Sequence, residues 1–360
     1  MRIGVDGQSL QGRRTGIGRY TANLIDSMKE IAPQHKIQVI RPGRERVMRT
    51  DRRLYWQQYG LPRQTRILKT DLLHVTGFDA PMRKPCPVVM TVHDLIGMLF
   101  PKNLPPVSRQ YWSKWLPFSI RRADAVIANS ETTRQDIVRL VGLPAKDIDV
   151  APLGVEACFQ PRPPDALKHF RSRYHLLEPF ILYVGTIEPR KGIDTLIDAL
   201  AILARRLPHH LILAGQPGWR CRPIIDRISD HRLKHRVRVL DYVPEEDLPW
   251  LYAAAEAFAL PSRYEGFGLP ILEAMAAGTP VVCSNAAALP ETAGSAALLV
   301  PPNDSQALAS SLAAVIHDPS LAAQLREQGL IRAKTYSWIE TAKATIGVYQ
   351  RVFDRSRSGL

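Results

Sequence analysis

Twelve short apolar runs, alternating with residues at helical spacing, constrain the fold more than any other feature of this chain. Most of the runs lack a regular alternation of apolar and polar residues, so they predict strands buried on both faces, as in parallel sheets covered by helices. The runs form two series, which predicts two doubly wound, Rossmann-like α/β domains. The predicted strands are residues 3–5, 37–40, 72–75, 88–92, 125–128 and 148–151, then 180–184, 211–214, 237–240, 257–260, 280–283 and 297–300.

The length of 360 residues suits two domains of similar size. Residues 160–164 are rich in proline and poor in apolar side chains, which is typical of a linker. We therefore predict a first domain over residues 1–160 and a second over 161–335. Apolar residues at helical spacing predict a final amphipathic helix within 336–360.

Composition excludes several classes of protein. Apolar residues make up 45% of the chain, and no run of about 18 apolar residues occurs, so no membrane-spanning helix is expected. The first residues resemble a strand and lack the features of a secretory signal peptide. Four scattered cysteines have neither paired nor metal-like spacing, so we expect a cytoplasmic protein with reduced thiols: Cys86, Cys158, Cys221 and Cys283.

The formal charge of +14 is unevenly distributed. Residues 1–160 carry 25 Lys or Arg against 14 Asp or Glu, and segment 41–70 alone carries nine basic residues together with Tyr55, Trp56 and Tyr59. Basic and aromatic side chains together are typical of segments that bind anionic membrane surfaces or lipid diphosphates. A solvated basic surface is an equally good interpretation. Nucleic acid is the weakest, because no nucleic-acid-binding module accompanies the charge.

Two carboxylates, Glu265 and Glu273, stand eight positions apart after a predicted strand. Gly266, Phe267 and Gly268 follow the first of them, and a short helix is predicted over 270–277. Glycines let a ligand approach the backbone, and the first N–H groups of a helix are available to anions or hydroxyls. This arrangement suits a sugar nucleotide, which has hydroxyls at both ends and a diphosphate between them.

A pair of cations, Arg190 and Lys191, follows the strand predicted at 180–184. Open α/β sheets bind ligands at the carboxyl ends of their strands, and two fixed positive charges suit a diphosphate. An isolated Arg-Lys pair is more often part of a solvated turn. The carboxylate stretch later in the same series favours the diphosphate interpretation.

The first series contains a glycine-rich stretch, with Gly16 and Gly18 ahead of a helix predicted over 21–28. A dinucleotide-binding enzyme would need a third glycine where Thr21 stands, and an acidic residue after the second strand, where the chain has Arg41 and Pro42. NAD binding is therefore a poor interpretation.

Three further polar pairs lie beside predicted strands. His93 and Asp94 end the strand at 88–92, where imidazole could bond a hydroxyl or handle a proton, although a lone histidine is more often structural. Ser130, after Asn129, is explained by helix capping. The Asp-x-Asp pattern at 147–149 precedes a strand, so we interpret it as surface charge, and no other cluster predicts a metal site.

Taken together, these motifs resemble the Glu-x7-Glu retaining glycosyltransferases of GT-B architecture, family 4-like, and most of all bacterial mannosyltransferases of polysaccharide assembly. The likeness covers nearly the whole chain and includes residues 4–7, 15–20, 91–95 and 289–291. It implies two Rossmann-like domains facing a cleft, an acceptor-side domain first and a donor domain second. It also implies that the final helix packs back on the first domain.

The resemblance also implies roles for individual residues. Arg190 and Lys191 would bind the diphosphate, Glu265 the transferred hexose and Glu273 the ribose. His93 would line the sugar pocket from the acceptor side. Backbone groups beside the donor would come from Gly16, Gly18, Gly266, Phe267, Gly268 and Leu269.

The implied function is metal-independent, cofactor-free transfer of a hexose, with mannose from GDP-mannose preferred, onto a saccharide or polyprenyl-diphosphate-linked acceptor. Retention without an evident protein nucleophile suggests attack on the same face, with the departing phosphate accepting the proton. UDP-glucose or another UDP-hexose is the alternative donor. A sugar-nucleotide epimerase, a glycoside hydrolase using Glu265 and Glu273, and a non-catalytic basic adaptor remain as alternatives.

Overall fold

The computed structural model describes residues 1–12, 16–43, 50–77, 79–101 and 106–358. It divides the chain into two compact units. The first unit comprises Met1–Gly154 with Ser337–Leu360, and the second comprises Val155–Tyr336. The boundary predicted at 160/161 therefore lies inside the second unit, and the chain leaves the first unit at Gly154.

The first unit is built on a six-stranded parallel sheet in the order β2-β1-β3-β4-β5-β6. Its central strands are buried on both faces, as the continuous apolar runs predicted. The strands are β1 Arg2–Asp6, β2 Lys36–Ile40, β3 Leu72–Val75, β4 Val88–Val92, β5 Ala125–Ala128 and β6 Ile148–Val150.

Helices surround this sheet, and two of the helical connections contain a π-helical turn, at Trp56–Gly60 and at Tyr111–Trp115. The helix predicted over 21–28 is longer than expected and begins at Gly16. The helices are α1 Gly16–Ile31, α2 Thr50–Tyr55, α3 Leu61–Ile67, α4 Ile96–Leu99, α5 Pro106–Gln110, α6 Leu116–Arg122 and α7 Glu131–Val141.

The second unit repeats the architecture with a parallel sheet in the order β12-β11-β10-β7-β8-β9. Its strands are β7 Phe180–Val184, β8 His210–Ala214, β9 Val237–Leu240, β10 Ala257–Leu260, β11 Val281–Ser284 and β12 Ala297–Val300. Its helices are α8 Pro164–Arg173, α9 Ile193–Leu203, α10 Arg222–Asp230, α11 Leu248–Ala254, α12 Leu269–Ala276, α13 Leu289–Ala293, α14 Ser305–His317 and α15 Pro319–Lys334. All twelve strands predicted from the sequence are confirmed to within a residue or two at their ends.

The last helix, α16 Trp338–Ser358, belongs to the first unit and packs against α1. A buried polar network fixes it. The Tyr349 hydroxyl bonds His74 Nδ1 at 2.6 Å, His74 Nε2 bonds Thr91 Oγ1 at 2.8 Å, and the hydroxyl of Tyr20 completes the chain at Thr91. Burial lowers the pKa of His74 to about 3, so the imidazole is neutral and uses one nitrogen as donor and the other as acceptor.

Strand order determines where each unit can bind a ligand. In the first sheet β1 is followed in sequence by β2 on one side and β3 on the other, and in the second sheet β7 is flanked by β8 and β10. Loops that leave the carboxyl ends of β1 and β3, or of β7 and β10, therefore turn to opposite faces and leave a crevice between them. Both crevices lie beside residues singled out in the sequence.

The network around His74 generates a stability prediction. Tyr349→Phe removes one hydroxyl and leaves a buried ring nitrogen without its partner, which costs about 1–3 kcal/mol of unfolding free energy. We expect a lower midpoint of thermal unfolding for this variant. Tyr59→Phe, at an exposed tyrosine of the same unit, should leave the midpoint unchanged. Equal midpoints for the two variants would contradict the role given to the network.

Candidate functional site

The candidate site of the second unit lies at the crevice between β7 and β10. These strands are parallel neighbours, with Ala257 opposite Ile181, so their carboxyl ends emerge at the same edge of the sheet. The loop after β7 carries Arg190 and Lys191, and the loop after β10 carries Glu265. Topology therefore brings together the two motifs that are more than seventy residues apart in sequence.

A glycine allows these loops to approach closely. Residues Pro189–Lys191 form a short 3-10 turn that ends at Gly192, whose φ of +67° is a left-handed conformation. A Cβ atom at Gly192 would lie 2.0 Å from the carbonyl oxygen of Pro261. Only glycine fits this contact, which holds the turn against the end of β10.

Glu265 is the centre of a cluster of charges. Its carboxylate accepts from Lys191 Nζ at 2.5 Å, from Ser262 Oγ at 2.7 Å and from Arg190 Nη1 at 3.3 Å. Arg190 also pairs through Nε with Glu188 Oε1 at 2.5 Å. With both bases and both acids ionised, the cluster carries no formal net charge.

Within this cluster, burial and the oppositely charged partner shift the pKa of a side chain in opposite directions. Burial disfavours the ionised carboxylate of Glu265, but Lys191 and Arg190 outweigh it and lower the pKa of Glu265 below its ordinary value. Burial, together with the neighbouring Arg190, lowers the pKa of Lys191, while Glu265 opposes that shift. The side chain of Lys191 is 12% exposed and that of Arg190 24%. Both cations are therefore largely enclosed, with the carboxylates of Glu188 and Glu265 as their partners.

Arg263 supports the same turn, and no sequence motif pointed to it. Its backbone N–H donates to the carbonyl of Arg190 at 2.7 Å, and its guanidinium bonds the carbonyl of Pro189 and the carboxylate of Asp194. Its Nε also donates to Asn303 at 2.5 Å. Arg263, two residues before Glu265 in the same loop, thus provides a second link between the two loops. A lone arginine in a loop carries no signal of this contact.

The carboxylate stretch continues into α12, which begins at Leu269, one residue earlier than predicted, directly after Gly268. Phe267 is buried and contacts the ring of Tyr336 edge-on. Glu273 lies inside α12 and is 1% exposed, and its carboxylate accepts from the hydroxyl of Tyr252 at 2.7 Å. The described contacts therefore group Glu265 with Arg190 and Lys191, whereas Glu273 faces α11. Its ribose-binding role stays a prediction.

The first unit has a pocket of about 240 Å³ at the carboxyl end of β4. His93 lies in its wall, and so does Ile17, which stands between the exposed Gly16 at the start of α1 and the buried Gly18. These two glycines occupy the first turn of a helix and not a loop, because α1 begins at Gly16. Thr15, at the start of the quoted motif, lies outside the described residues. Other lining residues are Arg53, Gly77, Met90, Thr91, Val92, Asp94, Ile96, Tyr111, Trp112 and Leu116.

His93 is held in one tautomer. Its Nε2 lies 2.8 Å from the carbonyl oxygen of Thr76, and a carbonyl can only accept, so Nε2 carries a proton. Burial lowers the pKa of His93, against the smaller opposing effects of Thr76 and Asp94. The neutral ring therefore keeps Nδ1 as an acceptor. Asp94 accepts from the backbone N–H of Ile96 at 3.0 Å, so it caps the following turn.

The remaining polar pairs take structural positions. Ser130 accepts from the N–H of Thr133 at 3.0 Å and caps α7, as predicted. Asp149 pairs with Arg351 of α16 at 2.5 Å. Among the described residues, no three His, Cys, Asp or Glu side chains lie close enough together to hold a metal ion.

Part of the basic segment 41–70 can be described. Arg49 and its neighbours at 44–48 lie outside the described residues. Along α2, the π-helical turn and α3, one face is exposed to solvent, whereas Trp56 is buried and is not the surface aromatic that was expected. We call this face the basic–aromatic stripe; it comprises Arg52, Tyr55, Tyr59, Arg63, Arg66 and Ile67. In the part of the chain that is described, no helix combines the length and the apolar character needed to cross a bilayer.

Comparison with known proteins shows what the chain is similar to. The family model for glycosyl transferases group 1 matches residues 168–332, and that for glycosyltransferase family 4 matches 15–157. The O-antigen chain mannosyltransferase B of Escherichia coli is 34% identical over 93% of this chain and 96% of its own length. The serotype-specific mannosyltransferase WbdA of Escherichia coli is 28% identical over 76% of this chain, which matches about a third (34%) of that protein.

Solved structures with the same fold include two with nearly complete coverage. Sucrose-phosphate synthase from Thermosynechococcus elongatus has a TM-score of 0.81 and 22% identity, covering 98% of this chain and 99% of that one. Anabaena HepE in complex with UDP-glucose has a TM-score of 0.75 and 21% identity, with complete coverage of both chains. At this level of identity the likeness concerns the fold.

The charge cluster generates a prediction about coupling. Lys191→Met leaves the carboxylate of Glu265 with one cation fewer, and we expect the free energy of unfolding to fall by about 1–3 kcal/mol. For Glu265→Gln, we expect the free energy of unfolding to fall by a similar amount, because Lys191 is then enclosed without its partner. The double variant should lose less than the sum of the two single losses, because neither charge is then left alone. Chemical denaturation of all four proteins measures this, and strictly additive losses would contradict a direct pairing.

Proposed function

Since the chain belongs to the group 1, family 4 glycosyltransferases and is a hexosyltransferase of the GT-B fold, we propose that it transfers mannose from GDP-mannose, with retention of configuration. The acceptor is a saccharide or a polyprenyl-diphosphate-linked saccharide. The observation that carries this proposal is the Arg190–Lys191–Glu265 cluster at the crevice between β7 and β10.

In the proposed mechanism, the charged side chains of the cluster bind the donor. Within the cluster the carboxylates of Glu188 and Glu265 neutralise Arg190 and Lys191. The donor diphosphate brings new negative charge, and the two cations stabilise it as the anomeric bond stretches and the charge on the leaving group grows. Glu265 is then able to accept hydrogen bonds from hydroxyls of the transferred hexose. We propose that the N–H groups at the start of α12, which follows Glu265 closely in sequence, bind the same negative charge.

Mannose is preferred over other hexoses because of the relatives. A mannosyltransferase matches this chain at 34% identity over almost its entire length, and a second relative is also named a mannosyltransferase. UDP-glucose is the second candidate donor, since a structure of the same fold contains it. A glycoside hydrolase is a weaker proposal than a transferase with either donor, because Glu265 is paired with cations and Glu273 is buried against Tyr252.

On the acceptor side, we propose that the pocket beside His93 receives the terminal sugar. A volume of about 240 Å³ is below the roughly 300–1,000 Å³ of pockets for drug-sized ligands, which suits one sugar ring and not a whole sugar nucleotide. The unprotonated Nδ1 of His93 is an acceptor for a hydroxyl of that sugar.

We further propose that the basic–aromatic stripe contacts anionic membrane lipids that carry the acceptor. Tyr55 and Tyr59 stack at 5.3 Å and are each about two-thirds exposed (68% and 67%), which is unusual for large rings with no covering element. Tyrosines prefer the headgroup level of a bilayer, and arginines alongside them are attracted by anionic lipids.

The donor assignment predicts a selective loss of diphosphate binding. In calorimetry, GDP-mannose should bind more tightly than UDP-glucose. Arg190→Gln should raise the dissociation constant of GDP about 10- to 150-fold, because one charge-assisted bond to phosphate contributes about 1.5–3 kcal/mol. Guanosine lacks the diphosphate, so its dissociation constant should not change. Arg205→Gln, at an exposed arginine of the same unit, is the control. An Arg190→Gln protein that binds GDP like the wild type would exclude this role.

The membrane assignment predicts a charge-dependent affinity for vesicles. Replacing Arg52, Arg63 and Arg66 with Ser should weaken binding to vesicles that contain an anionic phospholipid about 100-fold at low salt, since each basic group near such a surface contributes about 1 kcal/mol. Replacing Arg205 and Arg206 of the second unit with Ser is the comparison, and should have little effect. The difference should shrink at high salt. If both sets of variants bind alike, the stripe is an ordinary solvated surface.

A further inference from the structure

The pocket beside His93 has an unusual wall. Tyr111 and Trp112 of its lining belong to a π-helical turn, and Arg53 of its lining lies one turn before the other π-helical turn at Trp56–Gly60. π-Helical turns are rare and concentrate at functional sites, because the extra residue redirects side chains. One π-helical turn therefore forms part of the pocket wall, and the other lies one helical turn along the chain from a second part of it.

The side chain of Asp79 connects the two turns. Its Oδ1 accepts from the Tyr111 hydroxyl at 3.0 Å, and its Oδ2 accepts from Trp115 Nε1 at 3.0 Å. The same Oδ2 accepts from Gln58 Nε2 at 3.1 Å. Asp79 is completely buried, with 0% exposure. One carboxylate thus holds two residues of the second turn and one residue of the first.

The hydroxyl of Tyr111 remains a donor in this arrangement. Burial raises the pKa of Tyr111 well above its ordinary value, and the charge of Asp79 adds to the shift. The tyrosine therefore does not ionise beside the carboxylate. The bond fixes the ring at the pocket wall, and the guanidinium of Arg53 lies 5.1 Å from the centre of that ring. Asp79 thereby also holds the ring over which Arg53, the cation of the pocket, lies.

Trp112 is fixed from its other side by a close approach. A Cβ atom at Gly97 of α4 would lie 2.0 Å from Cδ2 of Trp112, so the indole packs directly on the glycine backbone. With α4 on one side and the Asp79-anchored turn on the other, the indole has little freedom to move. The wall of the pocket is therefore preorganised by Asp79 and Gly97 together.

We propose that Asp79 is a positioning residue for the acceptor: through Tyr111, Trp115 and Gln58 it sets the aromatic wall and the cation that recognise a sugar ring in the His93 pocket. This rests on the proposed function for the occupant of the pocket. Aromatic faces suit the C–H face of a sugar, and His93, Asp94 and Arg53 supply polar groups for its hydroxyls. Asp79 itself does not line the pocket, so it acts through the residues that it holds.

The test uses methyl α-mannoside as the probe, with the dissociation constant measured by titration of the full chain labelled with 5-fluorotryptophan. The fluorine resonance of Trp112, assigned with Trp112→Phe, should shift on titration. Tyr111→Phe removes only the hydroxyl that bonds Asp79, and it should raise the dissociation constant of the mannoside about tenfold. The same variant should bind GDP like the wild type.

A matched control separates positioning from general stability. Tyr174→Phe removes the same kind of bond, from a tyrosine hydroxyl to Asp247, in the second unit. It should leave the mannoside affinity unchanged, whatever its effect on unfolding. Asp79→Asn should also weaken mannoside binding, because the amide has one acceptor oxygen where the carboxylate has two, and its NH2 group must meet either the Tyr111 hydroxyl or the donors of Gln58 and Trp115.

The outcomes are distinguishable. Unchanged mannoside affinity in Tyr111→Phe and Asp79→Asn would overturn the proposal, and so would a wild-type protein whose Trp112 resonance does not respond to the mannoside. In either case GDP-mannose binding by the second unit would remain intact. Loss of GDP-mannose binding with a normal mannoside response would instead overturn the proposed donor and leave the positioning role of Asp79 standing.

Discussion

A carboxylate that is withdrawn from water must keep its partners, and this requirement organises the candidate site of the second unit. Glu265 is largely buried, and an unpaired charge in that position would cost several kcal/mol. Lys191, Arg190 and Ser262 satisfy it, and in doing so they join the loop after β7 to the loop after β10. The close approach at Gly192 and the contacts of Arg263 serve the same junction. The geometry of the cluster follows from the need to neutralise one acid.

In the first unit, a buried carboxylate has neutral hydrogen-bond donors as partners instead of cations. Asp6, at the end of β1, is buried and accepts from the amide of Gln57 at 2.7 Å and from the backbone N–H of Gln8 at 3.1 Å. Burial outweighs these bonds and raises the pKa of Asp6 to about 6, whereas the cations beside Glu265 lower its pKa. Hydrogen bonds alone therefore do not hold a buried carboxylate as firmly ionised as cations do.

How much the sequence predicts depends on the range of the interaction. Burial on both faces leaves continuous apolar runs, so the strands could be located, and the parallel order places Arg190 and Lys191 at the same edge as Glu265. Pairing between distant side chains produces no such pattern in the sequence. Asp79 is a single acid in a loop, and its three partners lie 21 to 36 positions away, without a motif. Likewise, nothing in a basic segment tells that Trp56 is buried while Tyr55 and Tyr59 are exposed, because the π-helical turn shifts the face that a regular helix would present.

The strong positive charge of the chain does not come from the donor cluster. Glu188 and Glu265 balance Arg190 and Lys191, and Arg263 is balanced by Asp194, so the β7–β10 crevice is close to neutral. The surplus is concentrated in residues 1–160, where 25 basic residues face 14 acidic ones. The diphosphate of the proposed donor would therefore add net negative charge to a crevice in which each of these cations already has a carboxylate partner. Among the described residues, the exposed arginines beside Tyr55 and Tyr59 belong to that surplus and lie on one face. Under the proposed function, attraction to an anionic surface and stabilisation of the leaving group are therefore separate properties, assigned to different units of the chain.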